Sequence, residues 1–263
     1  MAKDILVTIM GDDVFARNWM SLLLVRDWRT RVVSEITLQD VHLVSQETST
    51  TKLDVLLVDL DAFNDNPGIF SSINEIESDH PFKVLCIGTR IEPKVFTRLK
   101  PELFSGYILK DEISFSLGWA ITFVAEGKVI FTPQTFEAAY RMNYDLPKSR
   151  MVIRGRTFPG LTDRQEEIAR LAIIFSIGRR DLADELKISD QWSYGMVSEL
   201  YTKLGLGDIF DGDVDPYYYV GDDPVIRSHI DEILDELGDS KKARDLETFA
   251  FHLLTMPFIE GIK

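Results

Sequence analysis

Residues 1–142 predict an α/β domain built on a five-stranded parallel sheet, and the rest of the chain predicts an all-α helix-turn-helix domain with a helical C-terminal extension. Three observations carry this. Over the first part, short runs rich in Val, Ile and Leu alternate with longer amphipathic stretches, as in βα repeats whose strands are covered on both faces. At Leu161 the text changes to "LTDRQEEIARLAIIFSIGRRDLADELKISDQWSYGMVSELYTKLGLGD", where helix caps and a tight joint replace the strand runs. From Gly207 the composition turns acidic and aromatic before two further amphipathic helices.

Taken in order, "DILVTIM" (4–10), "TRVVSEI" (30–36), "DVLLVDL" (54–60), "KVLCIG" (83–88) and "GYILK" (106–110) are apolar runs of strand length. Between and after them, "DVFARNWMSLLLVR", "LQDVHLVSQE", "IFSSINEIES", "EPKVFTRLK" and "SFSLGWAITFVAEG" carry apolar residues at three- and four-residue spacing, which suits crossover helices. Pro101 lacks an amide donor and predicts an early end to the fourth helix. Residues 143–160, "NYDLPKSRMVIRGRTFPG", break the periodicity with two prolines, two glycines and four basic residues, and are expected to be a linker. In the second domain, 161–206, Thr162 and Gln165 form a capping box that predicts a helix over 163–174. "RRDLADEL" is a second helix, and Ser189 caps a third that runs to about Leu204 and stops at Gly205. "LKIS" between them is a helix-turn-helix joint.

Ligands and reactive groups of an open parallel sheet gather at the carboxyl ends of its strands. Asp12 and Asp13 follow the first strand, Asp59 and Asp61 end the third, Gly88 and Thr89 end the fourth, and Lys110 ends the fifth. Carboxylates from the first and third strands suit a hard cation such as Mg²⁺, with one acid as phosphoryl acceptor and the lysine neutralising the new charge. Over about 140 residues the chain resembles the receiver domain of bacterial response regulators, a flavodoxin-like fold. "GYILKDEI" and "LGWAITFVAEGKVIFTPQTF" are similar to the end of receivers in the LuxR/NarL subfamily. The resemblance implies that Asp59 stands at the phospho-acceptor position, Lys110 at the lysine and Tyr107 at the switch aromatic. Asp12 matches the second metal-binding acid, while Gly11 stands where the first belongs, with Asp13 as a substitute only if it swings in. Gly88 falls on the switch-hydroxyl position, with Thr89 one place late, and Phe63 replaces a proline. These departures imply an atypical receiver that works without phosphorylation, with no cofactor and a compromised Mg²⁺ site.

The segment 161–206 resembles the LuxR-type effector, with "LTDRQEEIARL", "LADELKIS" and "YTKLGL" as its specific matches. The resemblance implies binding to double-stranded DNA and places Arg164, Arg179, Arg180, Ser189, Gln191, Trp192, Tyr194 and Lys203 at or near the nucleic acid. At the start of the reading helix the family's threonine, valine, lysine and histidine give way to "WSYGM", so a cation is missing there. Trp192 admits two readings, a groove contact or a core anchor.

Charge divides by segment. The formal net charge is −14, yet residues 148–206 carry ten Lys/Arg against eight Asp/Glu, net +2, while 207–263 carry five against fourteen. The far field therefore repels nucleic acid, and any DNA contact must be local. In the extension 207–263, "DIFDGDVDP" is only loosely like a calcium loop and lacks the closing glutamate, so no metal is expected. No paired nucleophile and base and no phosphate-binding glycine loop is present, so no enzyme is expected. A single cysteine and the lack of roughly 18 uninterrupted apolar residues point to a reducing cytoplasm without membrane insertion. Two functions follow: a DNA-binding transcriptional regulator of the two-component type, or a scaffold that keeps both folds without binding DNA. A homodimer is expected through the "VFTRLKP" and "GYILKD" regions, and a protein partner or small ligand at the first domain is compatible with either function.

Overall fold

The computed structural model describes residues 4–44, 52–61, 68–158, 160–206, 223–237 and 243–261. Its strands are β1 (Ile5–Met10), β2 (Thr30–Ile36), β3 (Val55–Asp59), β4 (Lys83–Gly88), β5 (Phe104–Leu109), β6 (Val129–Phe131), β7 (Arg150–Arg154) and β8 (Phe258–Glu260). They form one sheet in the order β2-β1-β3-β4-β5-β6-β7-β8. Neighbours are parallel from β2 to β7, so each connection needs a crossover. These are α1 (Val14–Arg26), the turn at Leu38–Asp40, α2 (Ile69–Asn74), α3 (Val95–Arg98), the pair α4 (Lys110–Ile113) and α5 (Leu117–Ala125), and α6 (Pro133–Arg141). Strand order reverses between β1 and β3, which brings Gly11 beside Asp59 at the switch point.

The five expected strands are present, and three more extend the sheet. Strand β5 is buried along its length, and at Gly106 (φ +134°) a Cβ would stand 2.0 Å from the Ile130 carbonyl oxygen, so only glycine lets β6 pair there. The segment 143–160 is corrected: rather than being linker throughout, it contains β7, whose Met151, Val152 and Ile153 are buried. Helix α11 (Ala243–Thr255) ends before Pro257, and Phe258–Glu260 pairs antiparallel with β7 as Arg154↔Phe258 and Val152↔Glu260. Arg154 holds this edge, ion-paired to Glu260 at 3.2 Å with its guanidinium 4.7 Å from the Phe258 ring. Two compact units result, 2–155 with 257–263 and 156–256.

In the second unit, α7 (Asp163–Ala169) opens on the expected capping box and continues as a wider turn through Ile174. Helices α8 (Arg179–Leu186) and α9 (Asp190–Lys203) follow. Lys187 adopts the left-handed conformation (φ 54°), and Ile188 donates back to the Ala183 carbonyl at 2.9 Å, which closes the joint. The core is Ile168, Ile173, Leu182, Leu186, Val197 and Leu200. The extension's α10 (Pro224–Leu237) packs against α11, and α11 packs on the wide turn, where Ser176 Oγ meets Glu247 Oε1 at 2.8 Å. The "DIFDGDVDP" stretch and Phe63 lie outside the described residues. Among the described residues, no helix is long and apolar enough to cross a membrane.

Candidate functional site

The strand ends of the first unit converge on one ammonium. Lys110 opens α4 directly after β5, and its Nζ lies 2.7 Å from Asp59 Oδ2 and 2.8 Å from Asp61 Oδ2. The other oxygen of Asp61 accepts from the Thr89 amide at 2.6 Å and the Thr89 hydroxyl at 2.9 Å, and Asp59 Oδ1 accepts from the Asp61 amide at 3.2 Å. Asp61 thus ties the ends of β3, β4 and β5 together. Position 88 keeps a short gap: a Cβ on Gly88 would meet Asp61 Oδ1 and the Arg90 carbonyl at 3.3 Å.

Two carboxylates share one cation, and their protonation follows from that. Burial pushes the Asp59 carboxyl above the ordinary carboxylate range, and the bond from Lys110 offsets only part of the rise. For Asp61 burial acts in the same direction, but the bonds from Lys110 and Thr89 prevail and hold it below that range. Burial alone would lower Lys110, and its two acids raise it instead.

Tyr107 is wholly buried. Its hydroxyl donates to the Arg90 carbonyl at 2.5 Å and accepts from the Glu92 amide at 2.9 Å, so it pins the loop after β4. Burial drives this phenol well above its usual range. Behind it, Thr135 Oγ1 donates to the Tyr107 carbonyl at 2.6 Å and Thr132 Oγ1 accepts from the Leu109 amide at 3.1 Å, fixing the strand that carries Lys110. Sequence reasoning missed these two threonines; their Thr-Pro-x-Thr spacing at the start of α6 was the available signal.

Asp12 and Asp13 do not join the cluster. Asp12 Oδ1 accepts from the Leu38 amide at 2.9 Å, and Asp13 Oδ1 caps α1 by accepting from Phe15 and Ala16. The position between strand and acids is taken by backbone: a Cβ on Gly11 would stand 2.8 Å from Asp59 Cβ, so any side chain there displaces Asp59. Arg17, also missed, donates to the Gly11 carbonyl. This donor set does not fit Mg²⁺, because the acids facing each other already hold Lys110 and the others are engaged with backbone amides. Among the described residues, no three His, Cys, Asp or Glu side chains are grouped to hold a metal ion.

In the second unit, α8 and α9 present the second candidate surface. Trp192 and Tyr194 are each 63% exposed, which removes the core-anchor reading of Trp192. Ser193 is the anchor instead, buried with Oγ donating to the Arg179 and Asp190 carbonyls at 2.9 and 2.7 Å. Ser189 caps α9 by accepting from the Trp192 amide, and Gln191 and Arg180 are exposed, with Arg179 half-buried. Arg164 pairs with Glu167, and Lys203 Nζ lies 2.9 Å from Gln165 Oε1 and 3.9 Å from Glu199. Both of these cations are therefore held by neighbours in the same unit. Asp190 and Glu199 are also exposed on α9.

No family model matches the chain. No curated protein matches it either. Among solved structures it is similar to the response regulator ChrA of a heme-sensing two-component system, at 22% identity over 77% of this chain and 90% of that one, with a TM-score of 0.39. It is also similar to RcsB, solved as two dimers bound to two parallel DNAs, at 16% identity over 75% of this chain and 90% of that one, with a TM-score of 0.43. A LuxR-family two-component response regulator from Aurantimonas sp. SI85-9A1 matches at 18% identity over 54% of this chain and 99% of that one, with a TM-score of 0.44. At these low scores the likenesses carry no argument about function, which rests on this chain's own topology and side chains.

Proposed function

We propose that the chain is a DNA-binding transcriptional regulator that acts as a homodimer and whose strand-end pocket operates without phosphorylation. The observation that carries DNA binding is the α7–α8–α9 arrangement with Trp192, Tyr194 and Gln191 exposed at the start of α9. A reading helix docks by its N-terminal residues, and the helix before it crosses the phosphate backbone, where Arg179 and Arg180 stand. The aromatic side chains and Gln191 suit base edges and thymine methyls, while the arginines position the helix without reading sequence.

Phosphorylation independence is supported by the pocket. Lys110 is neutralised by Asp61 as well as Asp59, and neither Asp12 nor Asp13 faces the space where a metal would bridge to a phosphoryl donor. The scaffold reading keeps one observation in its favour, the acidic residues Asp181, Asp184, Glu185, Asp190 and Glu199 exposed on α8 and α9.

Duplex binding at two salt concentrations separates the two readings. Arg179→Ala with Arg180→Ala is expected to weaken binding to all sequences alike and to flatten the log-log salt slope by about 0.9 for each phosphate that is no longer neutralised. Tyr194→Ala is expected to reduce only the preference between sites. Full-length protein that retains no duplex at about 50 mM salt would establish the scaffold reading. For the pocket, acetyl phosphate with Mg²⁺ is expected to leave the intact mass unchanged; a stoichiometric adduct that is absent from Asp59→Asn would overturn phosphorylation independence.

A further inference from the structure

Strands β7 and β8 are neighbours held by very different means. Strand β7 is a fixed post: it pairs in parallel with β6, buries Met151, Val152 and Ile153, and is followed by Gly155, whose amide donates to the Glu112 carbonyl at 2.6 Å. A Cβ on Gly155 would stand 2.6 Å from Ser114 Cβ and 3.2 Å from the Ile113 carbonyl oxygen, so backbone lies directly on backbone there. Strand β8 has no such support. It is three residues long at the edge of the sheet, Phe258 is 46% exposed, and Ile259 and Glu260 are half-exposed. Arg154 grips it through the ion pair to Glu260 and the stacking on Phe258, both open to solvent, and such contacts hold weakly. An edge with so little buried apolar area opens at far lower free energy than the core. Just before it, Phe249, Leu253 and Met256 are buried in the helical unit, so β8 is what ties down the far end of that unit.

The post is clamped by the turn that carries the cation of the strand-end cluster. Lys110 opens α4, and Glu112 in the same turn takes the Gly155 amide on its carbonyl while its carboxylate accepts from the Gln134 amide at 3.2 Å. The turn closes where the Ser114 amide donates to the Lys110 carbonyl at 3.3 Å, and Ser114 sits at φ 51°, a conformation that costs a serine energy. A strained turn keeps its shape only while its surroundings impose it. Asp59 and Asp61 hold Lys110 at one end of α4, and the other end holds the residue next to Arg154.

We infer that α4 couples the strand-end cluster to β8, and that β8 is a releasable latch on the helical unit. While Lys110 holds both acids, Gly155 stays on Glu112 and Arg154 stays in register with Phe258 and Glu260. When Asp61 lets go of Lys110, α4 relaxes, Arg154 shifts and β8 leaves the edge, so the helical unit remains tied at Gly155 alone. A reading helix must align with a groove, and a unit tied at one end reaches more orientations than one tied at two adjacent points. The released state is therefore the one suited to DNA. The inference rests on the phosphorylation-independent regulator reading and gives its pocket an output that needs no phosphoryl group.

Amide hydrogen exchange on the full chain reads the latch directly. The amides of 258–260 are expected to exchange at least ~10-fold faster than those of β4, and Phe258→Asp should raise their rate at least another ~10-fold while β3 and β4 stay as in the parent. Asp61→Asn keeps an acceptor for Thr89 but removes the charge facing Lys110, and should raise the same rate ~3-fold or more. Gly155→Ala should do so too, and Asp61→Asn should then add nothing, because the link is already broken. Exchange of 258–260 as slow as that of β4 overturns the latch, and a rate unmoved by Asp61→Asn overturns the coupling. Arg154→Cys with Phe258→Cys places thiols on cross-strand partners, close enough to bridge, while the protein's own Cys86 is buried. At about 50 mM salt the oxidised, latched chain should bind duplex at least ~3-fold more weakly than the reduced one. Equal affinity of the two forms overturns the regulatory role, and a bridge between two chains overturns a latch within one. Absence of duplex binding in both forms overturns the DNA reading instead, and the exchange rates then decide the latch on their own.

Discussion

Two buried ion networks in the first unit differ in how completely they are neutralised. At the turn between α1 and β2, Asp27 and Arg29 form a buried bidentate pair: Arg29 Nε and Nη2 reach the two Asp27 oxygens at 2.9 and 2.7 Å, and the guanidinium lies 4.3 Å from the Trp119 ring centre. Arginine's planar fork matches a carboxylate edge to edge, so charge and geometry are satisfied together. At the strand ends, one lysine serves two acids, and a point charge leaves a residual negative charge in place. The first network is therefore a structural fastening. In the second, burial raises the Asp59 carboxyl group while the bonds from Lys110 and Thr89 hold Asp61 low, a separation typical of sites that meet a ligand or a partner.

The largest expected effect tests the fastening. Asp27→Ala leaves Arg29 uncompensated beneath Trp119 and should cost about 3–5 kcal/mol in urea unfolding, whereas Asp27→Leu with Arg29→Met should recover most of it. Recovery that fails would mean that the pair fixes the turn by geometry rather than by charge. Asp61→Ala should cost less, about 1.5–3 kcal/mol, because Lys110 retains Asp59 while the Thr89 amide loses its acceptor. Tyr107→Phe removes one hydroxyl from the loop after β4 and should cost about 1 kcal/mol.

The smallest effect is the most diagnostic of the comparison. Asp59 titrates above its unfolded value, so the folded state holds its proton more tightly, and the stability this gives is present at acid pH and lost as pH rises through the folded pKa. Asp61 titrates below its unfolded value, so its contribution is present above that value and lost as pH falls through the folded pKa. Asp59→Asn should therefore gain on the parent chain between acid and neutral pH, and Asp61→Asn should lose on it over the more acid part of that range. Parallel pH profiles of the two variants would show that the acids are equivalent and that the network carries no asymmetry.

The same contrast between local and distant causes explains what was legible in the sequence. Strands β1 and β3 to β5 announce themselves because both faces are buried and each is a continuous apolar run. Strand β7 was hidden because three buried residues lie between two arginines within a stretch of prolines and glycines. Strand β8 was hidden because its partner lies more than a hundred residues upstream, and no local period records that. The convergence of Asp59, Asp61, Thr89 and Lys110 was readable from strand ends. The turning away of Asp12 and Asp13 was not, although an acid just before a helix is as ordinary a cap as it is a metal ligand. The caps of α7 and α9 were legible to the residue because capping is a contact between near neighbours.

The pairing of β7 with β8 has a consequence for how the chain assembles. Arg154, where the chain leaves the sheet, and Phe258, where it returns, are cross-strand partners, so the whole helical unit occupies the place of a hairpin loop. Closing a loop of roughly 100 residues rather than two costs about 3–4 kcal/mol more in chain entropy. A folded insert with its two ends side by side removes most of that cost in advance. Strand β8 is thus expected to lose its pairing when the helices melt, which would make the edge of the sheet a reporter on the integrity of a unit to which it does not belong.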